Sequence, residues 1–201
     1  NIMKVAITGT TRGLGKAVAD ELCGKWVVKG FNRPEYDICC PKCMHKLVEE
    51  LKDPTYRIFI NNAHETFCQT EVLAAVYNIW ANDPSKIIVN INSRAKYPNL
   101  SKGLMYSASK ASLSHLSDSL KFTTPKKCKI MDVNLGLLES DLPSLTYKDA
   151  AVTIVWLIKN MANKRHLEIG SIDLYNNESY VKVQKQKQIK LNESRKNMGE
   201  N

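Results

Sequence analysis

Along the chain, short apolar runs rich in Val and Ile alternate with longer segments whose apolar residues return every third or fourth position. The short runs predict strands at "MKVAIT" (3–8), "WVVKGF" (26–31), "YRIFIN" (56–61), "KIIVNIN" (86–92), "KIMDVN" (129–134) and "LEIGSIDLY" (167–175). The longer segments predict helices over 13–23, 42–51, 70–81, 105–121 and 148–161, the first with Leu14, Val18 and Leu22 on one face. Strands this apolar are expected to be covered on both faces, as in a parallel sheet with helices on either side. The pattern therefore predicts a single-domain α/β fold, a doubly wound parallel sheet of about six to seven strands, over residues 1–175.

Composition changes this picture little. A chain of 201 residues with 43% hydrophobic content suits one sizeable core. The net charge of +9 would suit a nucleic-acid surface or a ligand rich in phosphate. Part of the excess sits in residues 176–201, a polar, Lys/Gln-rich segment that reads as a basic, mobile C-terminal tail. Aromatic residues make up only 7% and are dispersed, which argues against nucleic-acid binding. No run approaches the ~20 apolar residues of a membrane span, and no secretory leader is expected. Met3 reads as the natural start.

Six cysteines include the pair Cys40-x-x-Cys43, a spacing used by zinc and redox sites. Zinc takes four ligands, and no second pair of that spacing exists. The expectation is no metal, and free thiols in a reducing cytoplasm.

The candidate chemistry begins at "ITGTTRGLG". Gly9, Gly13 and Gly15 fall where the first strand turns into the first helix. Glycine there lets a backbone approach a pyrophosphate, and the helix N-terminus offers unpaired N–H groups. A glycine-rich turn without a ligand is the plain alternative. Later come Asn61-Asn62-Ala63 after the third strand, Ser93 at the end of the fourth, and Tyr106-x-x-x-Lys110 opening a helix. Tyr and Lys four residues apart share a helix face, ~6 Å apart along the axis.

With these residues the chain, from Met3 to about Tyr175, resembles the short-chain dehydrogenases/reductases, in the branch marked T-G-x-x-x-G-x-G, N-N-A-G and Y-x-x-x-K. The resemblance implies a Rossmann fold and an oxidoreductase that reduces a small-molecule carbonyl, or oxidises the alcohol, with a nicotinamide dinucleotide. It implies Ser93, Tyr106 and Lys110 as catalytic residues. Tyr106 would be the general acid/base, Lys110 its tuning cation and ribose ligand, and Ser93 the group that orients the substrate oxygen. It implies cofactor contacts from Gly9, Thr11, Arg12, Gly13, Leu14, Gly15, Asn61, Asn62, Ala63, Gly136, Leu138 and Ser140, with Asp37 and Ile38 beside the adenine. Asp37 could equally be a turn or cap residue. Arg12 in the glycine loop and Arg33 after the second strand favour the 2′-phosphate of NADP(H) over NAD(H), because guanidinium attracts a phosphate dianion. Family members often pair through the helices that correspond to 70–81 and 105–121, so a homo-oligomer is implied as well.

The chain departs from the family pattern in four places. His64 replaces the last glycine of N-N-A-G, either pointing into the site or occupying a tolerant loop, with the second favoured. Leu135-Gly136 replaces Pro-Gly. The short stretch after the second strand leaves no room for one crossover helix and a strand. The asparagine of the family's tetrad has no counterpart, since counting back from Ser93 lands near Thr66. Two other readings therefore stand beside the enzyme: a nucleotide-binding sensor without turnover, and a nucleic-acid binder that uses the tail.

Overall fold

The computed structural model describes residues 3–98, 103–122, 126–178, 189 and 192–193. Most of the expected tail lies outside the described residues. Strands β1 (Lys4–Thr8), β2 (Val27–Phe31), β3 (Tyr56–Asn61), β4 (Ile87–Ser93), β5 (Lys129–Leu135) and β6 (Ser171–Leu174) alternate with helices α1 (Gly13–Leu22), α2 (Pro41–Leu51), α3 (Cys68–Trp80), α4 (Leu104–Lys121) and α5 (Tyr147–Asn163). The six strands form one sheet in the order β2-β1-β3-β4-β5-β6, with every neighbouring pair parallel.

Alternating side chains of each strand feed two cores. Val5, Ile7, Ile58, Ile60, Val89 and Met131 pack against α1 and α5. Ala6, Phe59, Ile88 and Ile130 pack against α2, α3 and α4. Both faces are apolar because both are covered, the arrangement the unbroken Val/Ile runs predict.

The doubly wound order 3-2-1-4-5-6 would put another strand outside β2. Here β2 is the edge, and the chain returns through α2 alone to β3 on the other side of β1. The expected loss of one strand and one crossover helix is what the structure contains among its described residues. The connection reverses direction between β1 and β3, and a crevice opens beyond the carboxyl ends of strands at such a switch point.

Three local features differ from expectation. The last strand is shorter than predicted, because the Glu168 carboxylate accepts the Ile130 N–H at 2.9 Å in place of a ladder bond. A 3-10 helix, Arg94–Lys96, follows β4 and is capped by Ser93, whose Oγ accepts from Ala95 N at 3.1 Å. The expectation of free thiols fails at Cys39 and Cys68, which form a disulfide with Cα atoms 5.3 Å apart. They are 29 residues apart in sequence, so only the fold brings the loop after β2 against the start of α3. Cys23, Cys40, Cys43 and Cys128 are free.

Candidate functional site

The glycine loop lies at the switch point. Gly9 and Gly13 have φ of +74° and +59°, a region that side chains avoid. At Gly15 the reason is space, because a Cβ would lie 1.9 Å from the Gly9 carbonyl oxygen and 2.5 Å from Asn62 Nδ2. Asn62 holds the loop from β3, donating Nδ2–H to the carbonyls of Thr8 (2.9 Å) and Gly9 (3.0 Å). The Thr8 hydroxyl accepts from the amides of Asn62 (3.0 Å) and Ala63 (2.9 Å). Arg12 is the extended N-cap of α1 and makes no side-chain cap. Among the described residues no side chain caps the first-turn amides of α1, and the glycine turn lies beside them.

The crevice above this loop measures about 680 Å³. Gly9, Thr11, Arg12 and Gly13 form one wall; Arg33 and Ile38 form another; Asn62 and Ala63 form the floor. The predicted residues Leu14 and Asn61 are placed differently. Leu14 is buried in the α1–α5 core. Asn61 is fully buried, and its amide donates to the Gln69 carbonyl (2.9 Å) and Asn90 Oδ1 (3.1 Å). Gly136, Leu138 and Ser140 stand apart from the crevice, beyond the end of β5. Gly136 is pressed against Tyr175, where a Cβ would come within 2.7 Å of the Tyr175 Cβ.

The two arginines differ in their surroundings. Arg12 is exposed and has no ion pair among the described residues. Arg33 is held between two carboxylates, Asp37 at 3.3 Å and Glu65 at 3.0 Å. Asp37 also accepts the Cys39 N–H at 2.9 Å, the turn role kept open from the sequence. His64 lines the crevice too, and Phe31, Asn32, Tyr36, Glu65 and Tyr147, which were not anticipated, complete it. Tyr147 sits over the loop, its ring 3.7 Å from where a Gly13 Cβ would be.

Tyr106 lies in the first turn of α4 and is 40% exposed, and Lys110 one turn later is only 4% exposed. Lys110 Nζ is 5.8 Å from the Tyr106 ring centroid and donates to Gln69 Oε1 (2.7 Å) and the Ile91 carbonyl (3.1 Å). Burial pulls its pKa from the ordinary lysine value of 10.5 to about 7. Gln69 is itself anchored, donating to the carbonyls of Asn61 (2.7 Å) and Ile91 (3.0 Å). Thr66, where the interval from Ser93 pointed, is exposed with φ +44° and takes no part. Gln69 was missed although a signal existed. It shares the buried face of α3 with Val72, Leu73, Val76 and Trp80, and a polar residue on such a face needs a buried partner.

His64 corrects the tolerant-loop expectation. Its ring stands edge-on to Tyr106 with centroids 5.0 Å apart, and its Nε2 lies 3.0 Å from Ser109 Oγ. Burial, then the Lys110 charge, lowers its pKa. Ser93 is engaged as a cap and shares no hydrogen bond with Tyr106 among the described residues. The next residue, Arg94, stacks 3.8 Å from the Tyr175 ring centroid and forms an ion pair with Asp173 at 3.3 Å.

No protein-family model and no curated protein matches the sequence. Solved structures do resemble it in fold. An alcohol dehydrogenase from the archaeon Thermococcus sibiricus, complexed with 5-hydroxy-NADP, superposes with a TM-score of 0.72 at 12% identity, covering 88% of this chain and 97% of that one. A short-chain dehydrogenase from Sphingobium yanoikuyae in complex with NADPH gives 0.66 at 17% identity, over 86% and 87% of the chains. The NADH-dependent reductase A1-R′ complexed with NAD gives 0.69 at 17%, over 88% and 96%. At these identities the likeness is one of fold.

Proposed function

We propose that this chain is an oxidoreductase of the short-chain dehydrogenase/reductase type, using NADP(H) and acting on a small carbonyl compound or the corresponding alcohol. The observation that carries the reading is the pairing of Tyr106 with the buried Lys110 on one helix face, on a sheet whose switch point holds the glycine cradle. The fold likeness to dehydrogenases solved with NADP, NADPH and NAD supports a nicotinamide dinucleotide without choosing between the two forms.

The residues present fit such a ligand. Gly9 and Gly13 make the positive-φ turn that lines the crevice, Gly15 lets that turn close on itself, and the α1 amides supply donors. Ile38 gives an apolar wall for a base, and Arg12 offers a guanidinium that has no ion pair among the described residues for a 2′-phosphate. Bound there, the nicotinamide supplies or accepts the hydride. Tyr106 gives its phenolic proton to the substrate oxygen, or takes one in the reverse direction. Lys110, when charged, favours the phenolate. The Ser93 hydroxyl orients the substrate oxygen once it gives up its cap on Ala95.

The test is NADPH oxidation over a panel of aldehydes and ketones, with Tyr106→Phe as the variant. Loss of general acid catalysis should lower kcat by about 10²-fold or more. A variant as active as the wild type would end the assignment.

A second reading is favoured by the engagement of Lys110 with Gln69 and of Ser93 with its own turn. Both groups are occupied by the protein, as suits a nucleotide-binding sensor. Tight NADPH binding with no turnover over the whole panel would decide for it.

A further inference from the structure

Four sulphurs gather at the start of α2, and the proposed oxidoreductase chemistry uses none of them. Cys39 and Cys68 are joined, while Cys40 and Cys43 are free and half-buried. Cys40 is the N-cap of α2, with Pro41 following in the first turn, and its Sγ accepts the Cys43 N–H at 3.4 Å. Cys43 is three residues on, so the first turn of the helix returns its side chain to the Cys40 side, where its thiol donates to the Pro34 carbonyl at 3.8 Å.

We propose that Cys40 and Cys43 form a thiol–disulfide exchange site that takes the disulfide of a small thiol compound, with Cys40 attacking and Cys43 resolving. In the first step the Cys40 thiolate bonds to one sulphur of the small disulfide, its S–S bond breaks, and one thiolate leaves. In the second, Cys43 loses its proton and attacks Cys40 Sγ, and the second thiolate leaves. Two cysteine thiols are oxidised, and one small disulfide is reduced to two thiols.

The geometry separates the two roles. A sulphur at a helix N-cap meets the positive end of the helix dipole and the free first-turn amides, which stabilise a thiolate. The Cys43 thiol, then the Cys43 and Lys42 amides, lower the pKa of Cys40, while the Asp37 carboxylate works against them. The neighbouring Cys40 sulphur raises that of Cys43, as suits a resolving thiol that reacts second.

The other thiols lack these features. Cys23 is exposed but caps the C-terminal end of α1, where the helix offers carbonyls rather than free amides. Cys128 is buried, and desolvation pushes its pKa up to about 11. Cys39 adjoins Cys40 but is already tied to Cys68, which leaves Cys43 as the resolving partner.

The experiment uses the full chain, folded and without reductant, exposed to oxidised glutathione, quenched by alkylation over time and read by peptide mass spectrometry. Cys40 should react faster than the more exposed Cys23, by about fivefold. The product should be a Cys40–Cys43 disulfide with Cys39–Cys68 retained. Cys43→Ser should accumulate a Cys40–glutathione mixed disulfide, and Cys40→Ser should leave Cys43 unmodified. Serine is itself a good N-cap, so α2 survives that change, and a thermal melt checks this. Equal rates at Cys23 and Cys40 would overturn the proposal. So would a wild-type mixed disulfide that is never resolved, or a product that links Cys40 to Cys39 or Cys68. None of these readouts depends on nicotinamide chemistry.

Discussion

The burial of Lys110 has a direct consequence for stability. Its ammonium is kept among Gln69 Oε1, the Ile91 carbonyl and the face of Tyr106, with no carboxylate among its hydrogen-bond partners. Burial lowers its pKa from 10.5 to about 7. The sign follows from proton counting. Below pH 7 the folded and unfolded chains both hold the proton, and folding bears the whole cost of burying the charge. Between pH 7 and 10.5 the unfolded chain still holds it and the folded chain does not, so stability rises with pH by about 1.4 kcal/mol per pH unit. Integrated over the window, the cost at low pH is about 5 kcal/mol as an upper figure.

Lys110→Met keeps the length of the side chain and removes the titration. It also leaves Gln69 Oε1 without a donor, a loss of about 1–3 kcal/mol that does not vary with pH, while the Ile91 carbonyl keeps the Gln69 Nε2–H. Urea unfolding of both proteins at pH 7, 8 and 9.5 isolates the titrating part. Lys86 and Lys129, whose pKa values burial also lowers, are common to both chains and cancel in the difference. His64 senses the Lys110 charge, so the series stays at pH 7 and above, where the histidine is neutral. Wild-type stability minus variant stability should climb by about 3 kcal/mol from pH 7 to 9.5. A flat difference would mean that Lys110 keeps an ordinary proton affinity in the fold, and the desolvation argument would fail.

Glu65→Gln should free Arg33 from one of its two carboxylates and tighten NADPH by several-fold, about 1 kcal/mol, with NADH unchanged in a parallel fluorescence titration. Equal gains for both nucleotides would remove the 2′-phosphate from the explanation. Gly15→Ala places a methyl against the Gly9 carbonyl and Asn62, so the loop must shift. The expected loss is about 1–3 kcal/mol in urea together with weakened nucleotide binding, and an unchanged titration would show that the cradle is not where the ligand sits. Asp132 is fully buried and accepts from Asn90 Nδ2 (2.9 Å), Ser117 Oγ (2.8 Å) and Lys121 Nζ (2.8 Å). Asp132→Ala should cost about 3–5 kcal/mol, whereas Asp118→Ala, at Lys121's exposed second partner, should stay within about 0.5 kcal/mol; similar losses would refute the burial argument.

Elements whose signal is local were legible in advance. The Val/Ile runs placed all six strands, and the glycine spacing placed the positive-φ turn at Gly9 and Gly13. What escaped depends on contacts between distant segments. Nothing in "CQTEVL" says that Gln69 will reach the lysine of "YSASK", since that contact exists only once α3 and α4 lie side by side. His64 looked like a loop substitution until the fold stood it against Tyr106. Asn61 was read as a cofactor ligand from its position in a motif, yet its side chain belongs to the polar layer beneath the sheet's end.

Several of these surprises share one cause, which the sequence did contain. The chain between β2 and β3 is too short for a further strand and helix, so β2 becomes the edge of the sheet and its trailing loop falls directly against the β3–α3 loop. Cys39 then meets Cys68, Arg33 meets Glu65, and the wall that holds Ile38 is tied to the helix that holds Gln69. In a sheet with a further strand outside β2, the chain would leave in that direction first. The edge position of β2 and the disulfide therefore share one structural cause. Tyr56, Phe31 and Tyr36 pack together in the core under the short connection. The link from missing element to new cross-link also explains why the arginine expected to select a phosphate carries two acids. It was placed among them by the same shortening, and its availability to a nucleotide is set by how firmly that loop is held.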